Sequence, residues 1–414
     1  MNLIRTSLYT SLSTGITFLT GFVVTKVVAM RIGPEGMAYY GQFLNTTSIL
    51  AMLGTGAITT GVVKYLAEYS EDKVRQQQLI STAFIMVLLS SAIISLFTMA
   101  CSSPLSVAAF KTKDFWIVYL VYGFCLTAVS LNLIFSSILN GLKKIKQLTL
   151  INIIASLTGM LSIVILSYYL DLKGVLINSS IVGVIMMFIN IMMFKKWGIE
   201  WKFSMSQFDK PLLKKLFSFS LMAIVSGTVS PVMQFLVRSK IISSVSLQDA
   251  GYWQAVTRIS DYYLGFVSSV LVVYYMPKLS ELKTADEIRK EIRYGYKIIL
   301  PVVGILSLSV WLCRDLIIHI LFTKDFIAMR DLFAFQLIGD FLKIGSWILA
   351  YLMVAKAMTR IFIITEIGFG VSFVVFSYIF IAYYGVIGAT YAFALNDLIY
   401  WAIMFLLAKR NLIN

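Results

Sequence analysis

Long apolar runs leave this chain few ways to fold. Twelve stretches carry almost no charge: 8–30, 39–63, 79–101, 115–139, 149–169, 175–194, 216–237, 251–276, 298–318, 332–355, 361–383 and 386–408. A hydrocarbon core of about 30 Å takes about 20 apolar residues of helix. A helix also satisfies its own backbone polar groups where there is no water. The composition agrees, with 59% of 414 residues hydrophobic and 13% charged, against about 25% charged in soluble domains. The expectation is an all-α polytopic membrane protein with twelve transmembrane helices. No connection between runs is long enough for an extramembrane catalytic domain. Arg5 precedes an apolar run without a small-residue cleavage site, so no removable signal is expected.

The net charge of +15 is distributed by topology. With both termini cytoplasmic, 23 of the 35 Lys and Arg fall on the cytoplasmic side and 9 on the other, counting Arg314 near the far end of the ninth run. The remaining three, Lys26, Arg258 and Lys343, lie inside the spans. Such asymmetry fixes orientation and suits anionic lipid headgroups, so nucleic acid is not an expected partner.

Two polar stretches punctuate the chain. Residues 195–215, with Lys195, Lys196, Lys202, Lys210, Lys214 and Lys215, divide six spans from six. Two six-helix lobes are therefore expected, residues 1–204 and 205–414, around a central cavity. Residues 277–297 contain Thr284 and Glu287 in a capping-box pattern and then Arg289, Lys290 and Arg293. They read as a surface helix, lying either on anionic lipid or in solvent. A weak repeat supports the lobes: Tyr39-Tyr40-Gly41-Gln42 opens the second span and Gly251-Tyr252-Trp253-Gln254 the eighth. An even number of spans separates them, so the halves are parallel repeats.

Charge at depth is the main functional signal. Gln254, Arg258 and Asp261 lie at i, i+4 and i+7 in the eighth span, and Gln336, Asp340 and Lys343 repeat the spacing in the tenth. Both charged sets lie about 12–18 Å below the periplasmic surface at 1.5 Å per residue. A charge at the bilayer centre costs about 2.5–3.5 kcal/mol even on a lenient scale. Such groups line a polar cavity or hold helices together. If the faces meet, Arg258 pairs with Asp340 and Asp261 with Lys343. Lys26 either snorkels or faces the cavity. Asn45 joins Gln42 and Thr46 on a polar face that leads to Lys64, while Asp397, beside Asn396, is a candidate protonatable group near mid-membrane.

Catalytic signals are missing. The chain has no phosphate-binding glycine loop or dinucleotide fingerprint. Cys101, Cys125, Cys313 and the lone His319 have no metal or redox spacing, so neither cofactor nor metal is expected.

Several motifs carry a family resemblance: Gly33-Pro34 with Gly36, Gly61-Val62 with Lys64-Tyr65, and Trp253-Gln254 followed by Ile259-Ser260-Asp261. The most specific is Ala328-Met329-Arg330-Asp331-Leu332-Phe333-Ala334, continuing into Gln336-Leu337, Gly339-Asp340 and Lys343. Over essentially its whole length the chain resembles the Wzx flippases of the multidrug/oligosaccharidyl-lipid/polysaccharide exporter superfamily, nearest the branch that moves lipid III of enterobacterial common antigen.

The resemblance implies a V-shaped pair of lobes in the bacterial inner membrane. It implies alternating access that carries undecaprenyl-diphosphate-linked oligosaccharide, of lipid III or O-antigen type, from the cytoplasmic to the periplasmic leaflet. Coupling to a proton or sodium gradient and a periplasmic-side polymerase complex are further expectations. On this reading Arg258, Lys343, Lys26 and Lys64 hold the diphosphate, and Gln254, Gln336 and Asn45 bind sugars. Asp261, Asp340 or Asp397 takes up a coupling proton. One departure stands out: the inferred cavity is nearly charge-balanced rather than strongly basic. A cation or drug antiporter of the same superfamily would use the carboxylates alone. A membrane glycosyltransferase or polymerase would need a substantial catalytic loop.

Overall fold

The computed structural model describes residues 3–199, 207–356 and 358–409. Among them every regular element is helical. Two helices, α1 (Leu3–Gly54) and α6 (Ile145–Lys196), each have 52 residues. At 1.5 Å per residue that is about 78 Å, far more than one membrane crossing. Each is broken once. In α1 the break is Gly33 (φ 62°, ψ −168°), followed by Pro34. Glycine reaches positive φ without a Cβ clash, and proline cannot continue the hydrogen-bond ladder. In α6 it is Asp171 (φ 46°, ψ −131°). The halves of α6 then approach closely, since a Cβ on Gly174 would overlap the Leu166 carbonyl oxygen.

Between them lie α2 (Thr59–Glu68), α3 (Lys73–Ala100), α4 (Ser102–Phe110) and α5 (Trp116–Gly141). After them come α7 (Lys210–Ser244), α8 (Leu247–Val270), the short α9 (Met276–Glu281), α10 (Ala285–Leu312) and α11 (Arg314–Leu321). The chain ends in α12 (Phe333–Ala355), α13 (Thr359–Tyr384) and α14 (Ile387–Ala408). A π-helical turn, Leu271–Tyr275, follows α8, and a 3-10 segment, Lys324–Leu332, leads into α12. Among the described residues, eight helical stretches are long and apolar enough to cross a membrane: α1, α3, α5, α6, α10, the 3-10 segment with α12, α13 and α14.

Two expected boundaries move. The expected span 39–63 is interrupted, because α1 ends at Gly54 and α2 starts at Thr59. Gly56 (φ 61°) and Ala57 (φ 53°) make the turn. The expected surface helix after Thr284 is the start of α10, which runs on unbroken through Pro301. Its capping box forms as expected, with Thr284 and Glu287 each satisfying the other's backbone N–H.

The chain packs as two units, Met1–Arg31 with Gln42–Val232, and Ile32–Gly41 with Met233–Asn414. In the first, Phe135 stands edge-on to Phe84 and Phe194, with ring centroids 5.4 and 4.7 Å apart. Leu66, Leu79, Leu139 and Leu216 close around them. Farther along α3, Leu89, Ile93, Leu96 and Phe97 are exposed, as a lipid-facing surface requires. Amides bind α5 to α6: Asn190 Nδ2 donates to Asn132 Oδ1 at 3.0 Å and Asn132 Nδ2 to the Gly183 carbonyl at 2.6 Å. Such interhelical bonds and close packing replace the hydrophobic drive that lipid cannot supply.

In the second unit, Leu264, Val267 and Leu271 pack with Ile344, Ile348 and Leu352. Tyr296 ties three helices together. Its hydroxyl donates to the Gly345 carbonyl at 2.9 Å and accepts from Trp401 Nε1 at 2.8 Å.

Candidate functional site

Seven of the ten expected site residues fall in the second unit: Gln254, Arg258, Asp261, Gln336, Asp340, Lys343 and Asp397. The stripe Ser260, Leu264 and Val267 runs along one side of α8 at helical spacing and continues to Leu271 in the π-helical turn. Its apolar members pack in the same core as Ile344 and Ile348 of α12. Ser260 therefore also faces α12, and its Oγ donates to Asp340 Oδ2 at 2.6 Å. Tyr263 OH donates to the same oxygen, and Gln336 Nε2 reaches Asp340 Oδ1 at 3.3 Å. Asp340 is fully buried, with three donors around it.

The expected pairing of Arg258 with Asp340 and Asp261 with Lys343 is thus corrected. The helices meet, but through Ser260 and Tyr263. One residue is about 100° of helix, so the turn that aims Ser260 at α12 leaves Asp261 exposed. Among the described residues none of these four charges forms an ion pair within 4 Å. Arg258 lies over the Tyr262 ring, 5.4 Å from its centroid. Lys343 Nζ sits 5.5 Å from the Trp347 ring and 5.3 Å from that of Phe393. Cations over aromatic faces keep their charge available to an anion. Lys343 is also within electrostatic range of Asp261, Asp340, Glu366 and Asp397. Asp397 is buried next to Asn396, whose Oδ1 accepts from Ser372 Oγ at 2.6 Å.

One buried cation escaped the sequence reading. Arg238 was placed beyond the seventh span, yet α7 continues to Ser244 and carries it fully inside the protein. Its guanidinium donates to Gln254 Oε1 and lies 5.3 Å from the Trp253 ring. Apolar residues on both sides, Phe235 to Val237 and then Ile241-Ile242, were the available signal. The repeated segments also pack together here. A Cβ on Gly41 would overlap the Gln254 side chain, and one on Gly251 the Pro34 carbonyl oxygen. Gln336 Oε1 is buried without a hydrogen-bond partner among the described residues, an acceptor left open beside the carboxylate.

The other three expected residues lie in the first unit. Lys26 is half-buried on α1. Asn45 has a buried Nδ2 with no partner among the described residues. Lys64 is exposed on α2, 5.2 Å from the Tyr65 ring. Lys215 of α7 lies 5.7 Å from that ring and donates to Tyr69 OH at 3.1 Å. The two lysines make an exposed basic patch over the buried Tyr65 ring and Tyr69. Among the described residues no cluster of His, Cys, Asp or Glu is arranged to hold a metal.

Residues 3–283 match the family described as polysaccharide biosynthesis protein. The lipid III flippase of Escherichia coli (strain K12) is 30% identical over 416 residues, covering 99% of this chain and 100% of that one. Among solved structures, the lipid II flippase MurJ in an inward closed conformation superposes with a TM-score of 0.78. Its identity is 17%, and the match covers 98% of this chain and 87% of that one. An inward-facing multidrug resistance MATE family transporter of the MOP superfamily gives a TM-score of 0.77 at 14% identity, over 95% and 94% of the two chains. The fold is that of these transporters, and by the extent of the sequence matches the chain belongs to the polysaccharide biosynthesis protein family.

Proposed function

We propose that this protein is a flippase that carries undecaprenyl-diphosphate-linked oligosaccharide repeat units, of lipid III or O-antigen type, from the cytoplasmic to the periplasmic leaflet of the bacterial inner membrane. The full-length likeness to a lipid III flippase supports the substrate class. The observation that carries the reading is the pair of cations at depth in the second unit, Arg258 and Lys343, which rest on aromatic rings while the nearby Asp340 is hydrogen-bonded rather than ion-paired. Arg258 and Lys343 hold the diphosphate by charge-assisted hydrogen bonds. Lys26 and Lys64 serve it elsewhere on the path. Gln254, Gln336 and Asn45 offer amides to sugars, and Asp261, Asp340 and Asp397 are the groups for ion coupling or gating. The polyprenyl tail stays in lipid. The protein moves its substrate without chemical change and is not an enzyme.

Helix lengths support a path of twelve crossings. α1 and α6 each fold into two spans at their breaks. Adding α7 and α8, long helices made more polar by Arg238, Arg258 and Asp261, brings the crossings to twelve. An even number places both termini on one side, and the excess of Lys and Arg makes that side cytoplasmic.

The test is translocation in proteoliposomes. A fluorescent undecaprenyl-diphosphate oligosaccharide in the inner leaflet should become accessible to external quencher with wild-type protein. Arg258→Gln with Lys343→Gln should slow this about a hundredfold, as expected for a lost pair of buried charge contacts. Unchanged flipping in the double variant contradicts the assignment of these cations.

A further inference from the structure

The first unit contains a cavity of about 560 Å³, within the range of about 300–1,000 Å³ of small-molecule sites. Its polar lining includes Ser48, Thr55, Thr59, Ser136, Asn140 and Asn152, from α1, α2, α5 and α6. Met52, Leu133 and Leu148 supply apolar surface. No charged residue lines it among the described residues.

We propose that this cavity is a subsite for the neutral sugar part of the lipid-linked substrate. The inference rests on the flippase reading and extends it to residues outside the charged helices. An ionic group entering here would meet no counter-charge. A polyprenyl tail would strand hydroxyls and amides without partners. A neutral polyhydroxylated ring satisfies both kinds of lining, its hydroxyls on the polar groups and its C–H faces on Met52, Leu133 and Leu148.

The hydrogen-bond polarity fits. Ser48 Oγ donates to the Leu44 carbonyl at 2.7 Å and Thr55 Oγ1 to the Met52 carbonyl at 2.8 Å. The Ser48 hydroxyl, which is exposed, has thus spent its proton and keeps lone pairs to accept from a sugar hydroxyl, while Thr55 is buried in the wall behind it. Asn140 and Asn152 are exposed, and each amide offers donors and an acceptor.

The wall is built around irregular backbone. Thr55 and Thr59 flank the turn in which Gly56 and Ala57 have φ of 61° and 53°. The Gly54 carbonyl accepts from Ser90 Oγ at 2.7 Å and the Gly56 carbonyl from Ser220 Oγ at 3.1 Å. Non-helical backbone within a membrane persists where it is buried in protein or lines a cavity. A positive φ at alanine is a local cost that tends to be kept where it serves a site.

The experiment compares two lipids on full-length protein in nanodiscs: bare undecaprenyl diphosphate, and undecaprenyl diphosphate bearing an N-acetylhexosamine-containing oligosaccharide. Asn140→Ala with Asn152→Ala should weaken binding of the glycosylated lipid about tenfold, the scale of two modest hydrogen bonds. Binding of the bare lipid should stay unchanged. Equal loss for both lipids, or loss for neither, overturns the proposal. Wild-type protein that binds neither lipid overturns the flippase reading itself. A second readout covers a misfolded variant. Asn140→Cys, in a chain with Cys101, Cys125 and Cys313 changed to Ser, should label with maleimide more slowly in the presence of glycosylated lipid. Equal protection by the bare lipid, or none by either, contradicts the sugar assignment.

Discussion

In the second unit, the polar groups at depth are ionic and engaged with one another. Asp340 takes three hydrogen bonds, Arg238 is sealed against Gln254 and Trp253, and Arg258 and Lys343 rest on aromatic rings. The polar groups of the cavity in the first unit are neutral, and its two asparagines are exposed. Burying a charge demands a partner, so the ionic helices carry structural weight as well as charge. A neutral cavity open to solvent or substrate needs no such support. Mutations should therefore cost stability in the second unit and selectivity in the first.

The largest effect is expected at Asp340. Asp340→Leu leaves Ser260, Tyr263 and Gln336 with unanswered donors. At about 1–3 kcal/mol for each orphaned group, the loss is about 4 kcal/mol. A low yield of folded protein and a depressed thermal midpoint in detergent would register it, with Asp340→Asn in between.

Arg238→Ala comes next at about 2–3 kcal/mol. It orphans the Gln254 acceptor and removes the guanidinium from the Trp253 ring. Arg238→Met should recover part of the thermal midpoint and not the hydrogen bond. Gly251→Ala should cost about 2 kcal/mol, because the new Cβ meets the Pro34 carbonyl, a backbone atom that moves only with its helix. Asn152→Ala, in the cavity of the first unit, should shift stability by less than about 0.5 kcal/mol, as exposed positions do. A destabilisation there as large as at Arg238 would erase the contrast between the units.

Lys64→Gln should have the smallest effect on transport, about two- to threefold at low salt and less as ionic strength rises. A salt-independent loss would place Lys64 in a desolvated site instead.

Much of this architecture was readable from the residues, because hydrophobic run length is a local property. Gly33-Pro34 marks one helix break in plain view. Asp171 marks the other without a comparable signature, since aspartate is only one of several residues that tolerate positive φ. The charged helices were legible, and their contact was not. Helical spacing puts Gln254, Arg258 and Asp261 on one face, but it does not say which face packs. The apolar stripe ending in Leu264, Val267 and Leu271 decides that, and brings Ser260 to Asp340. Arg238 was lost to an error of a few residues in a span end. The cavity of the first unit was invisible for a different reason. Ser48 and Asn152 are about a hundred positions apart, and neither serine nor asparagine stands out by itself.

On the proposed reading, Arg258 and Lys343 bind the diphosphate of a lipid-linked substrate. Titrating bare undecaprenyl diphosphate into nanodiscs of wild-type protein and of Arg258→Gln with Lys343→Gln tests it without sugar contacts or transport kinetics. Affinity about a hundredfold weaker in the double variant is the predicted result. Equal affinity in the two proteins would contradict it.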